Sequence, residues 1–181
     1  SGQATSFNNN SSIGSGTIAD FDWSFGDSSG DTVAQTNHAY AGAGAYQAQL
    51  VVTSDRGCID SVFVPVNVLP LPVPLINADV FAGCPPLAVN FEDVSLANSG
   101  IIQSWSWSVS DGSTFATQNP STIFETPGRY DVSLYVTTSN GCSADTNYPQ
   151  YIQVYPEPIA EFTPDPERLS IFNPEVQLQN T

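Results

Sequence analysis

Phe21-Asp22-Trp23-Ser24-Phe25-Gly26-Asp27 alternates aromatic and polar residues and then stops at a Gly-Asp pair. Phe21, Trp23 and Phe25 fall on one face of an extended chain, with Asp20, Asp22 and Ser24 on the other. That period belongs to a strand with one buried and one wet face. The pattern returns as Trp105-Ser106-Trp107-Ser108-Val109-Ser110-Asp111-Gly112, and both Trp23/Trp107 and Asp27/Asp111 are 84 residues apart. At the same offset Phe7 falls on Phe91, Tyr40 on Phe124, Tyr46 on Tyr130, Leu50 on Leu134 and Cys58 on Cys142, with no gap. Past the cysteines the offset becomes 86, so the second copy carries two extra residues around Asn147-Tyr148-Pro149. A repeat of this kind is read before anything else, because it fixes the unit of folding.

Both copies read as short strands broken by Gly, Asn, Ser and Pro. In the second, Leu87–Phe91, Ile101–Val109, Ser121–Phe124, Gly128–Thr138 and Tyr151–Tyr155 are expected as strands. Ser139-Asn140-Gly141 is expected as a hairpin turn. Tyr130, Val132, Leu134 and Val136 share one face of their strand, and Asp131, Ser133 and Tyr135 the other. No stretch has a helical period. The fold class is therefore all-β: tandem immunoglobulin-like β-sandwiches joined by short proline-rich linkers. The expected divisions are residues 1–72, lacking a first strand, then 73–157, then 158–181 as the truncated start of a third unit. Leu69-Pro70-Leu71-Pro72-Val73-Pro74 and Tyr155-Pro156-Glu157-Pro158 join them, and alternating prolines make semi-rigid spacers. Ser1 and Thr181 each cut through a unit, so the sequence reads as a window on a longer repeat array.

Eighteen acidic residues face only three basic ones, all arginine, giving a net charge of −15. Such a surface repels phosphate backbones, which argues against nucleic-acid binding and against binding anionic membranes. No apolar run approaches the roughly 20 residues needed to cross a bilayer, so direct membrane insertion is not expected. Three cysteines is an odd count. A bridge between Cys84 and Cys142 would tie the start of one sandwich to its last hairpin. The repeat then places the partner of Cys58 just before Ser1. Such bridges belong to an oxidising, extracellular compartment; buried free thiols are the alternative.

Trp23-Ser24-Phe25-Gly26-Asp27, His38-Ala39-Tyr40, Gly44-Ala45-Tyr46 and Leu50-Val51-Val52-Thr53 together resemble the PKD (polycystic kidney disease-type) domain. The second copy keeps the spacing, but its turn has Val109-Ser110 in place of Phe-Gly, and Thr122 stands at the histidine position. A cysteine before the second strand and another in an Asn-Gly-Cys hairpin look like the subset found in long surface proteins of Bacteroidota. Asn173-Pro174-Glu175-Val176 resembles the cysteine-less unit that often precedes a gliding-motility or type IX secretion C-terminal domain. The resemblance implies a large secreted or surface-anchored multi-domain protein, adhesin-like, with neighbouring repeats of the same chain as its first partners.

No catalytic residue is expected. The single histidine, His38, occupies the His-x-Tyr position and reads as a packing or hydrogen-bonding side chain. No cofactor is implied. The best metal candidate is calcium at Asp20, Asp22, Asp27 and Asp31, which cluster around the first turn. Calcium takes six to eight hard oxygen ligands; a solvated acidic loop is the alternative. Thr32 and Ser61 lie in short Asp-Ser/Thr-hydrophobic sequences that resemble O-glycosylation acceptors in Bacteroidota, and Asn9 and Asn10 lie in Asn-x-Ser sequons. Three function classes follow. The first is a non-catalytic stalk or filament segment. The second is a module that grips surface glycans or proteins through Tyr135, Trp105 or Tyr148. The third is an accessory domain of a secreted enzyme.

Overall fold

A computed structural model describes residues 4–165 and 177–180. Among these residues there is no helix, and every regular element is a strand. The chain divides into two compact units, Ser1–Leu75 with Ser95–Trp105 and Tyr135–Asp145, and the remainder, whose bounds differ from those of the two sequence repeats; the repeats are taken one at a time.

The first repeat contains β1 (Thr5–Phe7), β2 (Ile18–Ser24), β3 (Gly30–Asp31), β4 (Thr36–His38), β5 (Gly44–Ser54) and β6 (Ile59–Val68). One sheet has the order β3-β2-β5-β6, and β1 pairs with β4 in a second, two-stranded sheet. The long β5–β6 ladder runs from Gly44↔Val68 to Thr53↔Ile59 without interruption. The alternation of β2 behaves as expected. Trp23 and Phe25 are buried with Tyr40 and Leu50, and Phe7, Phe21, Tyr46, Val52, Val66 and Val68 pack partly buried against them.

The second repeat contains β7 (Ile76–Ala78), β8 (Ala82–Gly83), β9 (Leu87–Asp93), β10 (Ile102–Val109), β11 (Thr114–Phe115), β12 (Ser121–Phe124), β13 (Gly128–Thr138) and β14 (Ser143–Val154). Its sheets are β11-β10-β13-β14-β8 and β12-β9-β7. Among the described residues each sheet thus has one more strand than its counterpart in the first repeat. The expected terminal strand Tyr151–Tyr155 is the end of a longer one. β14 takes up the two extra residues near Gln150, which has φ 52° and donates its N–H to Asp131 Oδ1 at 2.6 Å. A left-handed residue of this kind marks a local break in the ladder. The core is fully closed: Val89, Val132, Leu134, Val136 and Ile152 have no exposed surface.

The sequence offset is also a hydrogen-bond offset. Trp23 Nε1 donates to Val33 O at 2.9 Å, and Trp107 Nε1 to Thr117 O at 3.0 Å. Tyr46 OH donates to Gly42 O, and Tyr130 OH to Thr126 O. Ser54 N donates to Cys58 O and Thr138 N to Cys142 O, both at 2.8 Å. Each pair of donors and each pair of acceptors is 84 residues apart. Buried indole and phenol groups need a partner, and the same backbone carbonyls supply it in both copies.

The proline segment before the second repeat is fixed to a loop of that repeat. Val73 and Leu96 exchange both backbone hydrogen bonds, at 2.8 and 2.9 Å, and Asn98 Nδ2 donates to Leu71 O. After the second repeat, β15 (Phe162–Asp165) pairs antiparallel with β16 (Gln177–Asn180). Asn173–Val176, expected to mark a cysteine-less unit, lies outside the described residues.

The expected Cys84–Cys142 bridge is not formed, and the topology gives the reason. Cys84 directly follows Gly83, which pairs with Val154 at the end of β14, whereas Cys142 directly precedes Ser143 at its start. Twelve residues of strand lie between these positions. At about 3.3 Å per residue the separation is on the order of 40 Å, and a disulfide spans a Cα–Cα distance below about 7 Å. Cys58, Cys84 and Cys142 are all free thiols. Cys58 occupies the same hairpin position as Cys142, and the position expected to hold its partner lies outside the described residues.

Candidate functional site

The densest group of polar side chains in the first repeat sits at the turn between β2 and β3. Gly26 has φ +81°, and a Cβ there would lie 2.7 Å from Gln47 O, so both conformation and close approach demand glycine. The turn brings the Asp27 carboxylate to Ser29 and to His38 of β4. Asp27 Oδ1 accepts from Ser29 N at 3.0 Å and from Ser29 Oγ at 2.5 Å. Asp27 Oδ2 lies 2.7 Å from His38 Nε2. An ionised carboxylate only accepts, so Nε2 carries the proton. These bonds, led by that from the Ser29 hydroxyl and then that from His38, hold the Asp27 carboxyl down at about 2. His38 stacks flat on Phe25, with centroids 4.2 Å apart and planes at 3°, and meets Tyr40 edge-on at 4.6 Å. Tyr40 is buried, donates to Phe25 O at 3.1 Å, and has its pKa raised chiefly by that burial.

Serine, histidine and aspartate therefore meet, but not as a nucleophilic relay. In such a relay the acid holds one imidazole nitrogen and the other faces the serine. Here both Asp27 and Ser29 approach the same nitrogen, Nε2, with Ser29 Oγ at 3.4 Å, and the serine proton is given to the aspartate. The cluster closes the turn and anchors the edge strand β4. His38 is thus the packing and hydrogen-bonding residue its position suggests. Sequence reading missed Ser29; the available signal was that Asp27 and Asp111 both recur with a serine two residues on. Ser113 N donates to Asp111 Oδ1 at 2.8 Å, repeating the first contact.

The four calcium candidates do not converge. Asp20 and Asp22 are exposed on the outward face of β2, opposite Thr53 and Val51 of β5. Asp27 is engaged as described. Asp31 accepts from Thr32 N and Thr36 Oγ1, with the Thr36 bond the larger cause of its lowered pKa. Among the described residues no three His, Cys, Asp or Glu side chains are grouped to hold a metal ion. The calcium expectation is corrected accordingly: strand alternation separates two acids from the turn, and local donors occupy the other two.

Thr32 and Ser61 are both exposed. Of the aromatic residues considered for binding, Tyr135 is exposed, while Trp105 and Tyr148 are half-buried. Tyr148 belongs to a small ring cluster in the second repeat. It lies 5.0 Å from Tyr151, which meets the exposed Phe81 at 5.3 Å and donates to Ile76 O. Phe81 and Tyr151 were not singled out in the sequence, because their proximity depends on β8 pairing with the far end of β14.

Comparison with known proteins places these features in a family. The solved PKD1 domain of Vibrio cholerae metalloprotease PrtV is 27% identical over 47% of this chain and 98% of its own, with a TM-score of 0.41. The PKD1 domain of Vibrio anguillarum Epp is 24% identical over 48% and 99%, with a TM-score of 0.42. The fibronectin(III)-like modules of Clostridium thermocellum CbhA are 16% identical over 86% and 87%, with a TM-score of 0.39. The family profile described as "PKD domain" matches twice, over residues 1–68 and 72–154, which is most of the chain and coincides with the two sequence repeats. The chain belongs to the PKD domain family.

Proposed function

We propose that this chain is a non-catalytic extracellular segment of a semi-rigid stalk or filament in a large secreted or surface-anchored protein. PKD domains are typically extracellular structural or adhesive modules of enzymes and surface proteins. One observation carries the reading. What recurs between the repeats is the hydrogen-bonding of the core tryptophans, tyrosines and hairpins, while Asp20, Asp22, Asp31 and His38 are replaced by Ser104, Ser106, Phe115 and Thr122. Selection for a scaffold keeps the former and releases the latter. Neighbouring repeats of the same chain are its structural partners in this reading. The finer assignment, a Bacteroidota gliding-motility adhesin exported by type IX secretion, rests on the sequence resemblance. Thr32 and Ser61 are its proposed O-glycan acceptors, to be checked by intact mass from the native host.

Single-molecule pulling tests the stalk role. Two unfolding events are expected, with contour gains on the order of 200 and 250 Å for repeats of 68 and 83 residues at roughly 3.3–3.6 Å each. Featureless extension at low force would contradict a load-bearing role. The Phe81–Tyr151–Tyr148 cluster and exposed Tyr135 favour a second reading, a module that grips glycans or another protein. Saturable glycan-array binding that Tyr135→Ala or Phe81→Ala abolishes would support it.

A further inference from the structure

The two extra residues of the second repeat fall inside β14, which runs 12 residues where β6 runs 10. Loops ordinarily absorb insertions; one kept inside a strand must bulge it. Residues 148 and 151 are an odd number apart and in a regular strand point to opposite faces. The left-handed Gln150 between them, at φ 52°, breaks that alternation, and the Tyr148 and Tyr151 rings meet at 5.0 Å. Phe81 joins them from the β8 edge: Gln153 N donates to Phe81 O at 2.8 Å, and the Phe81 ring lies 5.3 Å from that of Tyr151. A left-handed residue other than glycine is strained and persists only where its neighbours hold it. Gln150 N donates to Asp131 Oδ1 at 2.6 Å, Gln150 Oε1 accepts from Arg129 Nη1 at 2.5 Å, and Asp131 N donates in turn to Ser110 Oγ at 3.0 Å. The core does not account for the three rings. Val89, Val132 and Ile152 have no exposed surface, whereas Phe81 is 48% exposed.

We propose that Phe81, Tyr148 and Tyr151 form a binding site for a neutral sugar ring; this rests on the second functional reading, the module that grips glycans, and gives it a place and a ligand class. The ring planes stand at 89° and 62° to that of Tyr151, so each contact is edge-on and covers at most one face of one ring. Tyr151 OH donates to Ile76 O at 3.1 Å, which fixes the central ring before a ligand arrives and keeps the ordering cost of binding low. Gln150 is exposed between the two tyrosines. Its oxygen is taken by Arg129, and its amide nitrogen keeps two N–H donors. A pyranose presents C–H groups on its flat faces and hydroxyls around its rim, so the rings take the first and the amide the second. Charge and area select against other ligands. Arg129, the only basic residue of the second repeat, sits at the bulge and opposes an organic cation on the rings, and the net charge of −15 opposes a polyanion. A stable protein interface buries about 800 Å² on each partner; three side chains, two of them half-buried, offer only a fraction of that.

The test titrates cellohexaose and mannohexaose, two neutral oligosaccharides, into the full chain and follows aromatic and amide resonances by NMR. Shifts at Phe81, Tyr148 and Tyr151 are expected with a Kd on the order of 1 mM for at least one sugar. That Kd should not change between about 50 mM and about 500 mM salt, because the ligand carries no charge. Phe81→Ala and Tyr148→Ala should each weaken binding about five- to tenfold, and Tyr148→Phe, which keeps the ring, by less than about twofold. Unchanged amide resonances in β9 and β13 show that each variant is folded. An absence of shifts with both sugars overturns the proposal. So does a response to an acidic hexauronate or to a synthetic decaproline peptide but to neither sugar. Sugar binding that Tyr135→Ala abolishes and Phe81→Ala leaves intact also overturns the site, while the wider glycan-binding reading stands.

Discussion

Replacing each core tryptophan by alanine separates a closed sandwich from an open one. Trp107 is 1% exposed, its ring is 5.8 Å from that of Phe91, and its Nε1–H satisfies Thr117 O. Trp107→Ala leaves an enclosed cavity; truncating a buried aromatic costs about 3–5 kcal/mol, and the lost indole hydrogen bond adds about 1 kcal/mol. A loss of about 4–6 kcal/mol is expected. Trp23 makes the equivalent bond to Val33 O, but it lines an open groove of about 740 Å³ together with Phe7, Leu50, Val52 and Val66. Water can enter the space left by Trp23→Ala, so the cavity contribution is smaller and the expected loss is about 3 kcal/mol or less. Urea unfolding by far-UV circular dichroism, fitted with two transitions because tandem domains need not unfold together, gives both values. The Trp107→Ala loss should exceed the Trp23→Ala loss by at least about 1 kcal/mol. Equal losses, or a larger loss at Trp23, would refute the difference in closure.

Further outcomes follow from the turn, the thiols and the acids. The Asp27 carboxyl is held down at about 2 in the folded chain, against an ordinary aspartate value of 3.8. Its stabilisation is therefore complete above about pH 4 and is lost as pH falls toward 2. The melting temperature of the first repeat should drop across that window, and Asp27→Asn should flatten the drop; identical pH profiles would contradict the assignment. Gly26→Ala puts a Cβ against backbone atoms of Gln47 at 2.7 and 2.8 Å, whereas Gly112→Ala, at φ +95°, meets nothing within 4 Å. By thermal melts the first should cost about 2–3 kcal/mol and the second about 1 kcal/mol. All three thiols should alkylate in denaturant after air exposure of the monomer; a monomer in which only one reacts would restore the Cys84–Cys142 bridge. A chelator should leave the melting curve unchanged, since the four aspartates do not converge.

Much of the architecture was legible because it was written twice. The recurrence of Trp23 at Trp107 and of Gly44-Ala45-Tyr46 at Gly128-Arg129-Tyr130 separated scaffold from ornament, and Gly128–Thr138 was bounded correctly by its alternation alone. The failures share a cause. A strand's length and register determine which ends meet, and neither is visible locally. Cys84 and Cys142 looked like the two ends of one domain, yet β14 runs its full length between them. Phe81 and Tyr151 looked unrelated, yet the β8–β14 register joins them. The aspartates looked clustered in sequence, but a period of two turns neighbours to the same outward face, and nearby hydroxyls and amides occupied the rest. Ser29 was overlooked because a turn serine is common, and only the carboxylate above it gives it a role.

Hydrogen exchange of the two long central strands tests the account most directly. β5 and β13 are related by the same offset and have the same length of 11 residues. In β13 alternate side chains from Tyr130 to Thr138 are buried, whereas β5 keeps Tyr46 and Val52 partly exposed. The amides of residues 130–136 should exchange more slowly than those of residues 46–52, by about tenfold or more. Equal protection in the two strands would contradict the claim that the second PKD repeat encloses its described core more completely than the first.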